Sequence, residues 1–149
     1  MNTPLSPDFP AHVVANYDKL NAMRLIKATL TNIEEGAVEV HVPHWDGIEQ
    51  QHGYIHGGIV GMIADTAAGF AAMTVTPADA SVLTVEYKLN FVAPSKGEKL
   101  IARGAVIRAG QTLIVTKADV YGIAAGVETL CAVMQQTIIV KHASTAPHE

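Results

Sequence analysis

Hydrophobic residues recur along this chain at helical spacing near its start and in strand-like alternation in its second half. Over residues 16–30 the apolar positions return every three or four residues, which predicts an amphipathic surface helix. Residues 30–35 and 37–42 are rich in Val, Ile and Thr and are separated at Gly36, which predicts a hairpin. The polar residues 43–56 follow, and we expect them to form a long loop.

The rest of the pattern predicts one enclosed helix and then strands. Residues 58–74 are apolar on every side, which is typical of a helix that is covered all round. Residues 80–93 alternate, so we expect Thr84 on one face of a strand and Val85, Tyr87, Leu89 and Phe91 on the other. The later strand-like runs are 100–108, 112–121 and 130–140, with a turn or bulge over 122–128. This order, ending in a four-stranded meander, predicts an α+β fold with an antiparallel sheet of five to six strands wrapped around the central helix.

Composition and charge narrow the class of protein. The chain has 149 residues, 49% of them hydrophobic, and a net charge of −4 without a basic block. We expect one soluble domain over 1–149, with an N-terminal arm over 1–15 and a frayed tail over 141–149, that binds neither nucleic acid nor an anionic membrane. The apolar stretch 57–78 is interrupted by an acid and several glycines, so we do not expect it to span a membrane. The start of the chain carries no basic region before an apolar stretch, which favours the cytoplasm. The lone Cys131 cannot form an internal disulfide, and we expect it to be a small core or strand residue.

One acidic residue stands out inside the predicted central helix. Asp65 is the only charged residue between Glu49 and Asp79. Burying an unpaired carboxylate costs several kcal/mol, so Asp65 needs hydrogen-bond donors or a functional reason to be there. Hydroxyl groups such as those of Thr66 or Thr84 can supply the donors. The pattern alone therefore leaves open whether Asp65 is functional or is a structural residue with satisfied hydrogen bonds.

The start of the same helix offers a second chemical group. His56-Gly57-Gly58 leads into the helix, whose first N–H groups lack intrahelical partners and favour an anion or a developing oxyanion. Gly57 and Asp65 are eight residues apart, which on a helix is about 12 Å of rise. They cannot flank one reacting carbon, so a shared reaction requires two copies of the chain, and we expect a homodimer.

A family resemblance follows from this motif, His-Gly-Gly with an acid seven residues after the second glycine. The chain resembles the hotdog-fold acyl-CoA thioesterases of the PaaI (phenylacetic-acid-pathway) type over about residues 16–140. The residues that carry the resemblance are 53–72, 82–100 with Phe91-Val92-Ala93-Pro94, and the final strands. It implies a hotdog fold and hydrolysis of acyl-CoA to free acid and CoA, with no metal or organic cofactor, by a homodimer or homotetramer.

The resemblance also implies roles for particular residues. Asp65 is implied to act as nucleophile or general base, and Gly57 to donate its N–H to the thioester carbonyl. His56 is implied to orient the thioester or the loop. Gln50, with Gln51 as the alternative, is implied to position the carbonyl or the water.

Further roles concern the attacking water and the substrate. The resemblance implies that Thr84 holds the water and that Thr84 and Asp65 face Gln50, His56 and Gly57 of the neighbouring subunit. Gly69 stands where the branch of the family that uses Glu has Ser or Thr, which favours the branch that uses Asp and a strand hydroxyl. The expected substrate contacts are Gly58, Tyr54, Met62 and Gln51.

Three other readings of the sequence remain. A metal site would use histidines and acids of the predicted loop: His41, His44, His52, His56, Asp46 and Glu49. A dehydratase or hydratase acting on acyl thioesters has the same fold, and a non-catalytic acyl-CoA binding module would use the same pocket. Candidates to hold the CoA phosphates are Lys96, Lys99, Arg103, Arg108 and Lys117.

Overall fold

A six-stranded antiparallel sheet and one long helix form the body of the protein, so the predicted α+β architecture is confirmed. The computed structural model describes residues 8–142. The helices are α1 (Phe9–Tyr17), α2 (Asn21–Leu25) and the central α3 (Gly57–Thr74), with a 3₁₀ turn at Asp46–Ile48. The strands are β1 (Thr29–Glu34), β2 (Ala37–Pro43), β3 (Ala80–Phe91), β4 (Lys99–Ala109), β5 (Leu113–Ala124) and β6 (Val127–His142).

The strand order is β1-β2-β4-β5-β6-β3. The predicted four-stranded meander is therefore wrong, because β4, β5 and β6 follow one another while β3 lies beyond β6 at the edge. The β1–β2 hairpin lies at the opposite end of the sheet. Helix α3 therefore connects β2 with β3, two strands that lie in opposite halves of the sheet. This crossover leaves one side of β3 without a neighbouring strand.

Helix α3 is seated on the sheet by small residues. A Cβ built at Gly104 of β4 would lie 2.2 Å from the carbonyl oxygen of Ala67, so the helix backbone rests directly on the strand. The sheet covers one side of the helix, and α1 packs on it as well, through Tyr17 and Phe70. Within the single chain, a stripe of partly or largely exposed residues runs along the rest of α3 and includes Gly58, Met62, Asp65, Thr66, Gly69 and Met73.

A bulge in β3 changes which side chains face the helix. Thr84 pairs with Ile138 but Glu86 pairs with Thr137, so Val85 is an extra residue in the strand. Simple alternation would place Thr84 and Tyr87 on opposite faces, and that prediction is wrong. The bulge turns both toward α3, where Thr84 contacts Asp65 and Tyr87 lies against Gly61.

The predicted helix over 16–30 is in fact two helices and part of a strand. Helix α1 ends at Tyr17, α2 begins at Asn21, and β1 begins at Thr29. The Arg24 guanidinium donates to the Asp18 carbonyl oxygen at 2.8 Å. This carbonyl, at the break between α1 and α2, thereby gains a hydrogen-bond donor. Tyr17 packs edge-on against Phe70 of α3, and burial, with a smaller contribution from Asp18, raises its pKa to about 12.

Other boundaries shift by a few residues. Gly36 has a φ of 77° in the predicted β1–β2 turn. Strand β5 continues to Ala124, so the predicted turn over 122–128 is confined to Ala125 and Gly126, both with positive φ. Residues 9–15 of the predicted arm belong to α1, residues 141–142 of the predicted frayed tail belong to β6, and 1–7 and 143–149 lie outside the described residues.

Among residues 8–142, α3 is the one helix with the length and hydropathy of a membrane span. Ten of its residues are buried within the protein, which is the position of a core helix. Its apolar character is therefore explained by packing against the sheet.

Candidate active site

Asp65 is held by a side-chain network that joins α3 to two strands. Thr84 Oγ1 donates to Asp65 Oδ1 at 2.7 Å, and Gln136 Nε2 donates to the same oxygen. Gln136 Nε2 also lies 2.6 Å from Thr84 Oγ1, which accepts from it. Within residues 8–142 the second carboxylate oxygen, Oδ2, has no hydrogen-bond partner. One oxygen of Asp65 is thus fixed and the other is available.

Gln136 is the site residue that the sequence reasoning missed. Its side chain is fully buried, and Thr116 Oγ1 of β5 donates to its Oε1 at 3.3 Å. A signal was present, because Gln136 occupies an inward-facing position between the apolar Met134 and Ile138 of β6. A polar residue at a core position needs partners, and those partners include the candidate catalytic group.

The start of α3 presents a backbone N–H. His56 is the N-cap, and its Nδ1 accepts from the Gly58 N–H at 2.8 Å. The His56 carbonyl accepts from the next two N–H groups, those of Ile59 and Val60. In the part of the chain that the structure describes, the Gly57 N–H has no partner. Because Nδ1 accepts, Nε2 of neutral His56 carries the proton.

Gly57 lies directly beneath an aromatic ring. A Cβ at Gly57 would be 3.0 Å from Cζ of Phe91, which is at the end of β3. Phe91 is 56% exposed, so its ring covers the helix start without closing it off. The Cβ side of Gly57 therefore faces the Phe91 ring.

The turn that leads into α3 positions the predicted glutamines. The Gln50 N–H donates to the Tyr54 carbonyl at 2.8 Å, and Gln50 Oε1 accepts from the His52 N–H. Gln50 is half-buried, and this contact leaves its amide N–H₂ group available, whereas Gln51 is exposed. The His56 N–H donates to the Ile48 carbonyl at 2.8 Å, which fixes the turn beside the helix start. Tyr54, also exposed, lies at the same end of α3, and Met62 and Gly58 lie along its exposed side.

The structure thus places the predicted site residues in two separate groups. Thr84 and Asp65 are together, and Gln50, His56 and Gly57 are together. Because α3 is a continuous helix from Gly57 to Thr74, the two groups stay about 12 Å apart along its axis.

Two histidines of the metal alternative each contact a single glutamate and do not gather with the other candidates at one point. His44 Nε2 lies 2.7 Å from Glu49 Oε1, and His41 Nε2 lies 3.1 Å from Glu39 Oε2. No cluster of three or more His, Cys, Asp or Glu that could hold a metal occurs in residues 8–142. The structure gives the metal alternative no support.

Two of the candidate phosphate ligands are already paired: Arg103, and Lys117, whose Nζ lies 3.4 Å from Asp119 Oδ2. Arg103 contacts Glu39 at 2.8 Å and Glu128 at 2.6 Å on the face of the sheet away from α3. Burial alone would raise the pKa of Glu39, but hydrogen bonds from His41, Arg103 and Asn32 lower it overall. Arg103 is therefore part of a structural ion network.

Comparison with known proteins identifies the family. A family model described as the Thioesterase superfamily matches residues 52–123, the segment from the turn before α3 into β5. The crystal structure of a thioesterase family protein from Silicibacter pomeroyi is 33% identical, covers 91% of this chain and 99% of that one, and superposes with a TM-score of 0.89. The chain belongs to the Thioesterase superfamily.

Two further proteins are similar to this superfamily member. A protein of Saccharolobus solfataricus, named only provisionally as an esterase, is 32% identical over 96 residues, which are 64% of this chain and 68% of that protein. The Escherichia coli PaaI protein of the phenylacetic acid degradation operon has a TM-score of 0.80 over 95% of this chain and 97% of that one, at 17% identity. At that identity the PaaI likeness shows the hotdog fold alone, while the family supports a thioester hydrolase.

Proposed function

We propose that this protein hydrolyses acyl-CoA thioesters, with Asp65 as general base and the Gly57 N–H of a second subunit as oxyanion donor. The observation that carries the proposal is Asp65 itself, whose Oδ1 is fixed by Thr84 and Gln136 while Oδ2 is unpaired. A carboxylate held in this way can accept a proton without first reorganising. We place the activity in the cytoplasm, where the free thiol of Cys131 is stable.

The Thr84 hydroxyl can accept one further hydrogen bond in this arrangement. It donates to Asp65 and accepts from Gln136, which leaves one lone pair for a proton of water. A water that donates one proton to Thr84 and the other to Asp65 Oδ2 presents its own lone pair to the thioester carbon. This geometry favours attack by water over attack by the carboxylate.

The reaction then balances without a cofactor. Asp65 Oδ2 takes a proton as the water oxygen bonds to the carbonyl carbon, and the oxyanion that forms binds the Gly57 N–H of the other subunit. The C–S bond breaks as the carbonyl re-forms, and the CoA sulfur leaves with the proton from Asp65. Gln50, with its free N–H₂ group beside the helix start, is placed to orient the carbonyl. His56 fixes this helix start as its N-cap.

The exposed edge of β3 supports assembly with a second copy. β3 has a partner strand on one side only, and its exposed apolar side chains are Leu83, Val85, Tyr87 and Phe91. A long exposed apolar edge is a template for pairing with another strand. We propose that two copies pair through this edge, and that the dimer is the minimal unit of a homotetramer.

The proposed active site needs Gly57 of one copy to lie opposite Asp65 of the other. This requirement determines the register in which the two β3 strands pair. Phe91 lies over Gly57 and Thr84 contacts Asp65, so β3 runs antiparallel to α3 beside it. A two-fold axis that places Gly57 opposite the other copy's Asp65 passes near Gly61. The same axis pairs the two β3 strands antiparallel within one residue of Lys88.

Cross-linking tests this register. In the Lys88→Cys variant the two new thiols lie close together, and we expect rapid formation of a disulfide-linked dimer. In the matched Leu83→Cys control the thiols are separated by about 30 Å, since a strand rises about 3.3 Å per residue, and no cross-link should form. Equal cross-linking of both variants, or of neither, would contradict the register.

The oxyanion donor can be removed without disturbing the helix. Gly57 is the first residue of α3, where proline is well tolerated, and His56 already has the extended ψ of 135° that a following proline requires. Gly57→Pro should lower kcat by roughly 10²- to 10³-fold, as loss of one oxyanion donor typically does. Gly57→Ala keeps the N–H and makes the same contact with Phe91, so it is the matched control.

Release of free thiol from a panel of aryl-, medium-chain and long-chain acyl-CoA esters tests the activity. The aromatic side chains at the helix start, Phe91 and Tyr54, favour aryl or medium-chain acyl groups, as in the PaaI-type resemblance. We expect turnover to be lost in Asp65→Asn and retained in the control Asp79→Asn, which changes an exposed acid beyond α3. Acyl-CoA binding without turnover in the wild type would instead favour a binding module.

A further inference from the structure

We infer that Gln136 is a positioning residue for Asp65, and that Thr116 determines which end of the Gln136 amide faces the carboxylate. The inference rests on the proposed function, because it assigns these residues to the catalytic group of that reaction. Neither residue touches the substrate in this account. Both come from the middle of the sheet, β5 and β6, beneath the helix.

The side chains of Gln136 and Thr116 are both fully buried. A buried amide that only stabilised the core could be paired to any neighbour, but this one donates to Asp65 and to Thr84, the two groups that contact the water in the proposed reaction. Gln136 is thus joined to both parts of the proposed base.

The direction of the Gln136 amide determines which of its ends faces Asp65. A glutamine side chain has a donor end and an acceptor end of nearly the same shape, and only the donor end stabilises a carboxylate. Thr116 Oγ1 lies 3.3 Å from Gln136 Oε1 and donates to it, which leaves Nε2 for Asp65. Removing the Thr116 hydroxyl removes this preference and allows Oε1 to turn toward the carboxylate.

The side chains around Asp65 are mostly uncharged. Gln136 and Thr116 carry no charge, and neither do the neighbours of Asp65 one turn away on α3. On β3 the titratable side chain that faces the helix is Tyr87, whereas Glu86 contacts Thr137 on the other face. The groups that donate to the Asp65 carboxylate are therefore Thr84 and Gln136.

The test compares three variants in steady-state hydrolysis of the best acyl-CoA substrate across pH. Gln136→Leu should lower kcat about 10- to 100-fold with KM nearly unchanged, because a buried donor to a charged group is lost. It should also move the acidic limb of the kcat/KM profile to higher pH, since the carboxylate is then less favoured. Thr116→Val should shift both quantities in the same directions by a smaller factor. Gln135→Leu changes the adjacent exposed residue and should match the wild type.

The results separate this inference from the proposed function. If Asp65→Asn abolishes turnover but Gln136→Leu and Thr116→Val keep the wild-type kcat and pH profile, the positioning role is wrong and the function stands. If Asp65→Asn retains turnover, the proposed function itself is wrong. Should Gln136→Leu fail to fold, Thr116→Val decides alone, because it removes one hydroxyl at constant shape; an unshifted acidic limb in Thr116→Val then overturns the inference.

Discussion

The contact between Gly104 and α3 yields a quantitative prediction. In Gly104→Ala the new Cβ would lie 2.2 Å from both the carbonyl carbon and the carbonyl oxygen of Ala67, and 2.6 Å from the N atom of Ala68. Ordinary contacts begin near 3.4 Å, so the helix must move away from β4 by about 1 Å. The obstacle is backbone, which cannot turn aside as a side chain can.

The expected cost follows from that displacement. Overpacking of a core typically costs 1–3 kcal/mol, and here a whole helix must shift, so we expect about 3 kcal/mol. For a chain of this size that lowers Tm by roughly 6–12 °C. Asp65 lies two residues before Ala67, so its contacts with Thr84 and Gln136 should be lost and kcat should fall as well.

Thermal unfolding followed by circular dichroism, together with thiol release, measures both effects. Gly69→Ala is the matched control, because the same change on the open side of α3 meets nothing within 4 Å and improves helix propensity by up to about 1 kcal/mol. A Gly104→Ala protein that melts within about 2 °C of the wild type would refute the reasoning that α3 is seated on this glycine.

The remaining predictions concern the helix cap and the ion network. His56→Ala removes the side chain that accepts from the Gly58 N–H and should cost about 1 kcal/mol in chemical denaturation, whereas His52→Ala should cost nothing measurable. Glu39→Gln should lower the free energy of unfolding by about 1 kcal/mol at pH 7, after allowance for the partly exposed Arg103 guanidinium. Because the folded state lowers the pKa of Glu39, this difference should be full above the ordinary carboxyl pKa and should be lost as pH falls through the lowered pKa of the folded state. A difference that does not shrink as the carboxyl groups become protonated would contradict the assigned cause.

Much of the architecture is local and can be predicted from sequence. The hairpin at Gly36, the central helix and the strand-like runs follow from periodicity and turn residues, because each depends on neighbours close in the chain. The edge position of β3 could not be predicted in this way, since pairing of β3 with β6 depends on distant residues. The bulge at Val85 has no local signal either, yet it reverses the face of Thr84.

The candidate site shows the same division. Asp65 and Gly57 stand out because one is a lone charge in an apolar helix and the other follows a histidine at a helix start. Gln136 is distant in the chain and became apparent only when the sheet brought it beneath Asp65. Its detection required knowing that Gln136 faces inward, which in turn required the register of β6.

The most direct test of the shared active site is to mix two inactive variants. Asp65→Asn lacks the base and Gly57→Pro lacks the oxyanion donor, and each homodimer should show almost no thiol release. Co-expressed with different tags and assayed together, they should regain about a quarter of wild-type activity, because half of the dimers are mixed and each has one intact site. No recovery, with mixed dimers demonstrated by the tags, would contradict a site built from two copies of the chain.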